Sequence, residues 1–351
     1  MREQLKNLTG LRFIAALLVF GHHSNWNNSG ILIKKFFEAG YVGVSFFFVL
    51  SGFIISYAYQ NRLIKKQVTN RNYLLRRVLR LWPLHILTAL PWLYIKLTGS
   101  SVTLNSGISY LINISFLQSF VPSSFYYFSL NAASWSLSNE MFFYLVFLLI
   151  VPLTERGVRR VFLALIAIIT FSALIVTIMG DEYVFLGDKP FSHWLFYIFP
   201  VFRLVEFLGG VLLYRFYVKD VQIKTWIQIP VFTLLILAMI VSEYIPVSFR
   251  YSLYFLPFII LLLVAHLSMK SWLDRLLGSK IFVLLGNASF AFYLIHKLVI
   301  ALLYKFGFFE SLGDFVRFAL SAFVTSLISI VVYLAIEKKI NNYLQDLFKL
   351  K

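Results

Sequence analysis

Ten runs of about 15 to 20 mainly apolar residues follow one another along this chain, and no polar block of domain size separates them. A run of that length matches the roughly 30 Å hydrocarbon core of a bilayer, where only structures that satisfy their own backbone hydrogen bonds survive. The chain is therefore constrained to a set of membrane-crossing helices. The runs lie near 8–25, 41–59, 79–97, 139–153, 161–179, 201–216, 227–242, 251–267, 284–303 and 316–336. Only 13% of the residues are charged, against roughly 25% in a soluble domain, and mean hydropathy is +0.80. The expected fold is an all-α integral membrane protein of about ten transmembrane helices around a membrane-embedded cavity.

Charge sets the orientation. The net charge of +17 would point to nucleic acid in a soluble protein, but here the Lys and Arg occupy short segments between apolar runs. With both termini cytoplasmic, 22 of the 32 basic residues fall inside, 7 outside and 3 within spans. That is the bias that fixes topology in membranes. Residues 1–340 then form one transmembrane domain and 341–351 a short cytoplasmic tail, with membrane lipids as surroundings and no nucleic-acid partner. Arg12 interrupts the first run and no cleavage site follows it, so that span is expected to stay in the mature protein. The outer segment Leu97–Ser138 holds no charged residue but many Ser, Asn, Tyr and Phe. It is expected to fold back on the membrane surface or line a cavity, with 105–120 re-entrant or interfacial.

Ionisable groups inside a span are costly, and each is a functional candidate. In the first run, Arg12 and His23 are eleven residues apart, which places them within roughly 20° on a helix and about 16 Å apart along its axis; His22 is turned away by about 80°. The alternative is that Arg12 pairs with an acid such as Glu140 or Glu206. Arg77 and Arg80, three residues apart at the cytoplasmic end of the third run and followed by Pro83, present one face suited to a pyrophosphate; anchoring on lipid phosphate is the plainer reading. Glu140 opens the fourth run from outside, at the level of His23, where the pair would suit general-base work; a bond to Ser or Arg that merely holds helices is the alternative. Arg203 and Glu206 share a helix face and may neutralise one another, while His296 either faces the cavity or bonds a neighbouring helix. Gly43, Gly52, Gly209 and Gly210 read as close helix packing.

Other chemistries recede. The chain has no cysteine, hence no disulfide, thiolate nucleophile or thiolate-held metal. Its six histidines are scattered without metal-ligand spacing, and neither a G-x-S-x-G elbow nor a phosphate-binding glycine loop occurs.

Together these segments resemble the membrane acyltransferase family three, which includes O-antigen, exopolysaccharide and nodulation-factor O-acetyltransferases. The resemblance rests on Arg12-x10-His23, on Gly43-Val44 through Phe47, Ser51, Gly52 and Phe53, on Arg77-x2-Arg80 with Pro83, and on Ser138-x-Glu140-x2-Phe143-Tyr144. Arg203 through Glu206 with Gly210, Leu285 through Ser289, Tyr293 with His296, and Glu337 echo it further. It implies transfer of an acyl group, usually acetyl, from cytoplasmic acetyl-CoA or another acyl-CoA to a hydroxyl of an extracytoplasmic or lipid-linked carbohydrate at a bacterial inner membrane. His23 would be the catalytic histidine, Arg12 its partner, Glu140 a supporting residue, and Arg77 with Arg80 the donor-binding pair; no metal is implied. His23 would either remove the proton of the hydroxyl or first accept the acyl group. A transporter or flippase of a lipid-linked sugar, with Arg12, His23 and Glu140 lining a passage, is the rival reading, and it predicts no CoA dependence.

Overall fold

The computed structural model describes residues 5–99, 103–180, 189–218, 225–267, 271–308 and 311–348. Arg2, Lys219, Lys224, Lys270, Lys349 and Lys351, which enter the orientation argument, lie outside these residues, as does the end of the expected tail. The described residues are helical throughout, without a β-strand. In chain order the helices are α1 (Lys6–His22), α2 (Ile31–Glu38), α3 (Val42–Ile64), α4 (Asn70–Gly99), α5 (Leu104–Ile114), α6 (Ser124–Tyr127), α7 (Trp135–Ile150), α8 (Glu155–Met179) and α9 (Phe191–His193). They continue as α10 (Pro200–Tyr217), α11 (Gln228–Val241), α12 (Val247–Phe249), α13 (Leu256–His266), α14 (Trp272–Leu277), α15 (Lys280–Asn287), α16 (Ser289–Lys305), α17 (Asp314–Val332) and α18 (Lys338–Leu347).

Among the described residues seven helical stretches are long and apolar enough to cross a membrane, and α15 with α16, bent by 64° at their junction, makes eight if the two are one span. Ten spans were expected; the other two runs hold helices of 17 residues, Lys6–His22 and Gln228–Tyr244, which fall short of that length. The chain is thus a multi-pass helical membrane protein. Pro83 and Pro91 lie inside α4, which continues through both.

The chain divides into two compact units. The first comprises Met1–Phe47, Lys219–Ile245 and Phe255–Lys339. Its centre is α1, packed against α14, α15, α16 and α17 and against the 3-10 turn Ala39–Tyr41 that leads into α3. Phe13, Ala16 and Phe20 on one face of α1 meet Phe292 and Ala322 to form the core, with Phe20 and Phe292 rings 5.6 Å apart. Glycine decides how closely α1 is approached. A Cβ on Gly43 would fall 2.3 Å from the Ala15 carbonyl oxygen, one on Gly10 2.2 Å from that of Leu277, and one on Gly286 1.9 Å from that of Thr9. Backbone therefore lies directly on backbone at three sides of the helix.

The second unit comprises Phe48–Val218, Pro246–Tyr254 and Ile340–Lys351. Here α10 packs on α7 and α8, and α4 on α7. Phe48, Phe143, Phe147 and Phe207 are fully buried, and Phe143 stacks on Phe207 at 5.2 Å. The glycine contact is reciprocal: a Cβ on Gly52 would meet the Phe207 carbonyl at 2.0 Å, and one on Gly210 the Val49 carbonyl at 1.9 Å. The uncharged segment that follows α4 folds into α5, α6 and short 3-10 turns among the described residues, and Asn113 and Gln118 within it are completely buried. Asn113 donates to the Ser129 carbonyl at 2.8 Å and Gln118 to the Ser134 carbonyl at 2.9 Å, while His85 Nε2 donates to the Asn113 carbonyl at 3.1 Å. Amides take the place of charges in holding this segment down, in line with its composition.

Candidate active site

The C-terminal end of α1 is built to stop. Beyond His22 the last carbonyls need donors, and Ser24 Oγ supplies one to Phe20 at 2.9 Å while Trp26 Nε1 supplies another to Gly21 at 2.7 Å. Trp26 in turn lies flat on Phe37 at 3.9 Å, and Gly21 leaves room for that ring, which a Cβ would meet at 2.2 Å. His23 is thereby the residue capping the helix, with φ −95° and ψ 2°, one position beyond the last helical turn.

Three imidazoles line up there. His23 lies 4.9 Å from the His22 ring and stacks on His296 of α16 at 5.2 Å with 24° between the planes. His22 and His296 each have one nitrogen committed. His22 Nδ1 donates to the Glu38 carbonyl at 2.7 Å, and His296 Nδ1 donates to the Tyr293 carbonyl at 2.5 Å; a carbonyl accepts only, so both carry their hydrogen on Nδ1. His296 is 1% exposed, and its Nε2 has no hydrogen-bonding partner among the described residues. Leaving a buried acceptor unmet costs about 1–3 kcal/mol, and His85 Nδ1 and His266 Nε2 are in the same state. His23 is partly exposed, and its ring makes no hydrogen bond within the described residues. No three His, Asp or Glu side chains among those residues converge as ligands for a metal.

Arg12 lies deeper in the same unit. It and Glu337, at the end of the π-helical turn Tyr333–Glu337, are both within electrostatic reach of the Tyr333 hydroxyl. Glu206, one of the acids considered for Arg12, has its own cation: Arg203 Nη2 is 3.1 Å away and both side chains are fully buried. The Arg203 guanidinium also donates to the Tyr251 carbonyl at 2.8 Å and sits 5.2 Å from the Phe48 ring and 5.4 Å from that of Tyr197. The two neutralise one another on one helix, the reading their three-residue spacing offered.

The other three candidates belong to the second unit and form a cluster of their own. Arg77 donates to Tyr59 Oη at 2.7 Å and stacks over that ring at 4.8 Å and over Tyr144 at 5.9 Å. Tyr144 donates to Glu140 Oε2 at 2.5 Å, four residues back on α7, and Arg80 is also within electrostatic reach of Tyr144. Two guanidinium groups against one carboxylate leave net positive charge, which suits a phosphate. Tyr59 was not singled out in the sequence, and Tyr144 entered only as the end of the Ser138–Tyr144 motif. Its position marks it further, one helical turn after Glu140 on the same face.

Residues 5–334 match the acyltransferase family three, described as an acyltransferase domain, and the chain belongs to that family. Among curated proteins it is similar to acyltransferase MdmB of Streptomyces mycarofaciens, 28% identical over 85% of this chain and 79% of that protein. It is also similar to peptidoglycan O-acetyltransferase OatA of Listeria monocytogenes, 25% identical over 86% of this chain and 50% of OatA, so it spans about half of that relative's length. No solved structure matches the chain.

Proposed function

We propose that this membrane acyltransferase moves an acetyl group from acetyl-CoA to a hydroxyl of a carbohydrate at the outer side of a bacterial inner membrane, and that His23 is the catalytic histidine. The observation that carries this reading is the state of His23 at the end of α1. It is held in place by the cap and by two neighbouring imidazoles, yet its ring nitrogens are engaged by no described residue. An imidazole so placed is suited to proton or acyl transfer at neutral pH. Arg77 and Arg80 bind the phosphates of the donor, Glu140 supports them through Tyr144, and Arg12 supports the first unit's site from below. Support for the acceptor comes from the relatives, of which OatA is by name a peptidoglycan O-acetyltransferase.

The test uses purified, detergent-solubilised protein with radiolabelled acetyl-CoA and a cell-envelope glycan fraction. Label should enter the glycan with the natural chain and not with His23→Ala. Arg77→Ala combined with Arg80→Ala should raise the KM for acetyl-CoA at least tenfold. Absence of CoA release with any glycan would replace this reading with the transporter, which has no use for CoA.

A further inference from the structure

We infer that His296 is a second catalytic histidine and that the two divide the work: His23 carries the acyl group and His296 Nε2 takes the proton of the incoming hydroxyl. This rests on the acyl-transfer reading above and goes beyond it.

The argument starts from what each ring can do. With Nδ1–H given to the Tyr293 carbonyl, His296 is fixed in one tautomer and orientation, and its free lone pair is on Nε2. A base whose second nitrogen is held by an acceptor is the arrangement that proton abstraction from a hydroxyl requires. Of the two reacting groups, only the hydroxyl has a hydrogen to offer that nitrogen; a thioester has none. His23 has no such brace on either nitrogen, so nothing within the described residues fixes its tautomer as a base, while both nitrogens are left for bond formation. The stacking distance of 5.2 Å brings an acyl group on one ring within reach of a hydroxyl held by the other.

A cleft opens further along the same helix. Ile300, Leu303 and Tyr304 follow His296 by four, seven and eight residues and so continue its face of α16. Together with Ser24, Asn25, Asp314 and Arg317 they line a small open cleft of about 20 Å³ with both polar and aromatic walls.

The chemistry balances in two steps. In the first, a ring nitrogen of His23 bonds to the thioester carbonyl carbon, the C–S bond breaks, and the proton lost by the imidazole goes to the sulfur, giving free CoA. In the second, the hydroxyl oxygen attacks the acyl carbon on His23 while His296 Nε2 takes its proton. The C–N bond then breaks and His296 returns the proton to His23.

The experiment needs no acceptor for its first arm. Purified natural chain, His23→Ala, His296→Gln and His296→Asn are mixed with radiolabelled acetyl-CoA and quenched at short times, and released CoA and hydroxylamine-sensitive label on the protein are counted. The natural chain and both His296 variants should release one CoA per chain in a burst and carry the label; His23→Ala should do neither. On addition of the envelope glycan fraction, the labelled His296 variants should turn over roughly 10²–10⁴-fold more slowly than the natural chain. The inference is overturned if no variant carries label while the natural chain transfers acetyl, or if whichever His296 variant elutes as a folded species turns over within threefold of the natural chain. No CoA release by the natural chain, with or without glycan, would instead sink acyl transfer itself.

Discussion

The Arg203–Glu206 pair and the His23–His296 pair are both ionisable groups inside apolar helices, and they are finished differently. Arg203 has its carboxylate, a carbonyl and two aromatic faces, and neither partner is exposed. The two histidines stack on one another and also meet His22 and Tyr293, with one ring partly exposed. The lesson is that an ionisable group within a span announces a constraint, and whether an opposite charge stands beside it tells which kind. The Arg203–Glu206 pair is closed by charge, whereas the two imidazoles are joined by ring contact alone.

That contrast can be broken at several points. The largest expected effect is on activity: His23→Ala should lower acetyl transfer by at least about 10²–10⁴-fold, the worth of a positioned acid–base group, and leave the melting temperature in detergent unchanged. A large drop in melting temperature would move His23 to the structural side. At the other pair the pattern should invert. Arg203→Leu strands a buried carboxylate and should cost about 3–5 kcal/mol of stability, while adding Glu206→Leu should recover most of it. A single variant as stable as the natural chain would remove the distinction. Gly43→Ala places a methyl against the Ala15 carbonyl and should cost about 1–3 kcal/mol, read as the same melting shift, because backbone cannot step aside as a side chain can.

The smallest effect is a pH dependence at Asp274, in α14. Burial on its own would raise this carboxyl, but hydrogen bonds from His266 at 2.7 Å, Asn7 at 2.8 Å, Gln228 at 2.8 Å and Ser271 at 2.8 Å hold it well below the usual carboxylate range. A depressed folded value means the stabilisation is complete above the unfolded value of about 4 and fades as pH falls below it. Melting temperature should therefore decline below about pH 4 in the natural chain, and this component should be absent in Asp274→Asn. Equal acid sensitivity in the two would show that Asp274 is not tied as described.

The membrane-crossing architecture was legible because hydrocarbon length imposes itself on every span, and the i, i+3 spacing of Arg203 and Glu206 told their pairing directly. The polar knot around Asp274 was not legible: Asn7, Gln228 and His266 come from α1, α11 and the end of α13, and only tertiary packing brings them to one carboxylate. For the same reason, Tyr59 was lost among 20 tyrosines until Arg77 was found against it, and Tyr144, named only within a motif, showed its bond to Glu140 only in the fold. His296 stood out in the sequence as an intramembrane histidine, but its tautomer depends on which way the ring turns, a fact that no spacing rule contains.

The glycine contacts along α1 bear on how this protein can change over generations. Because Gly10, Gly43 and Gly286 meet bare carbonyls on different sides of one helix, a single-residue insertion or deletion within α1 would turn part of it by about 100° and set a side chain where only hydrogen fits. The eleven-residue interval from Arg12 to His23 is thus protected against drift by packing as well as by chemistry. Descendants of this chain can vary their substrate by altering the surrounding helices far more readily than by altering the one that carries the histidine.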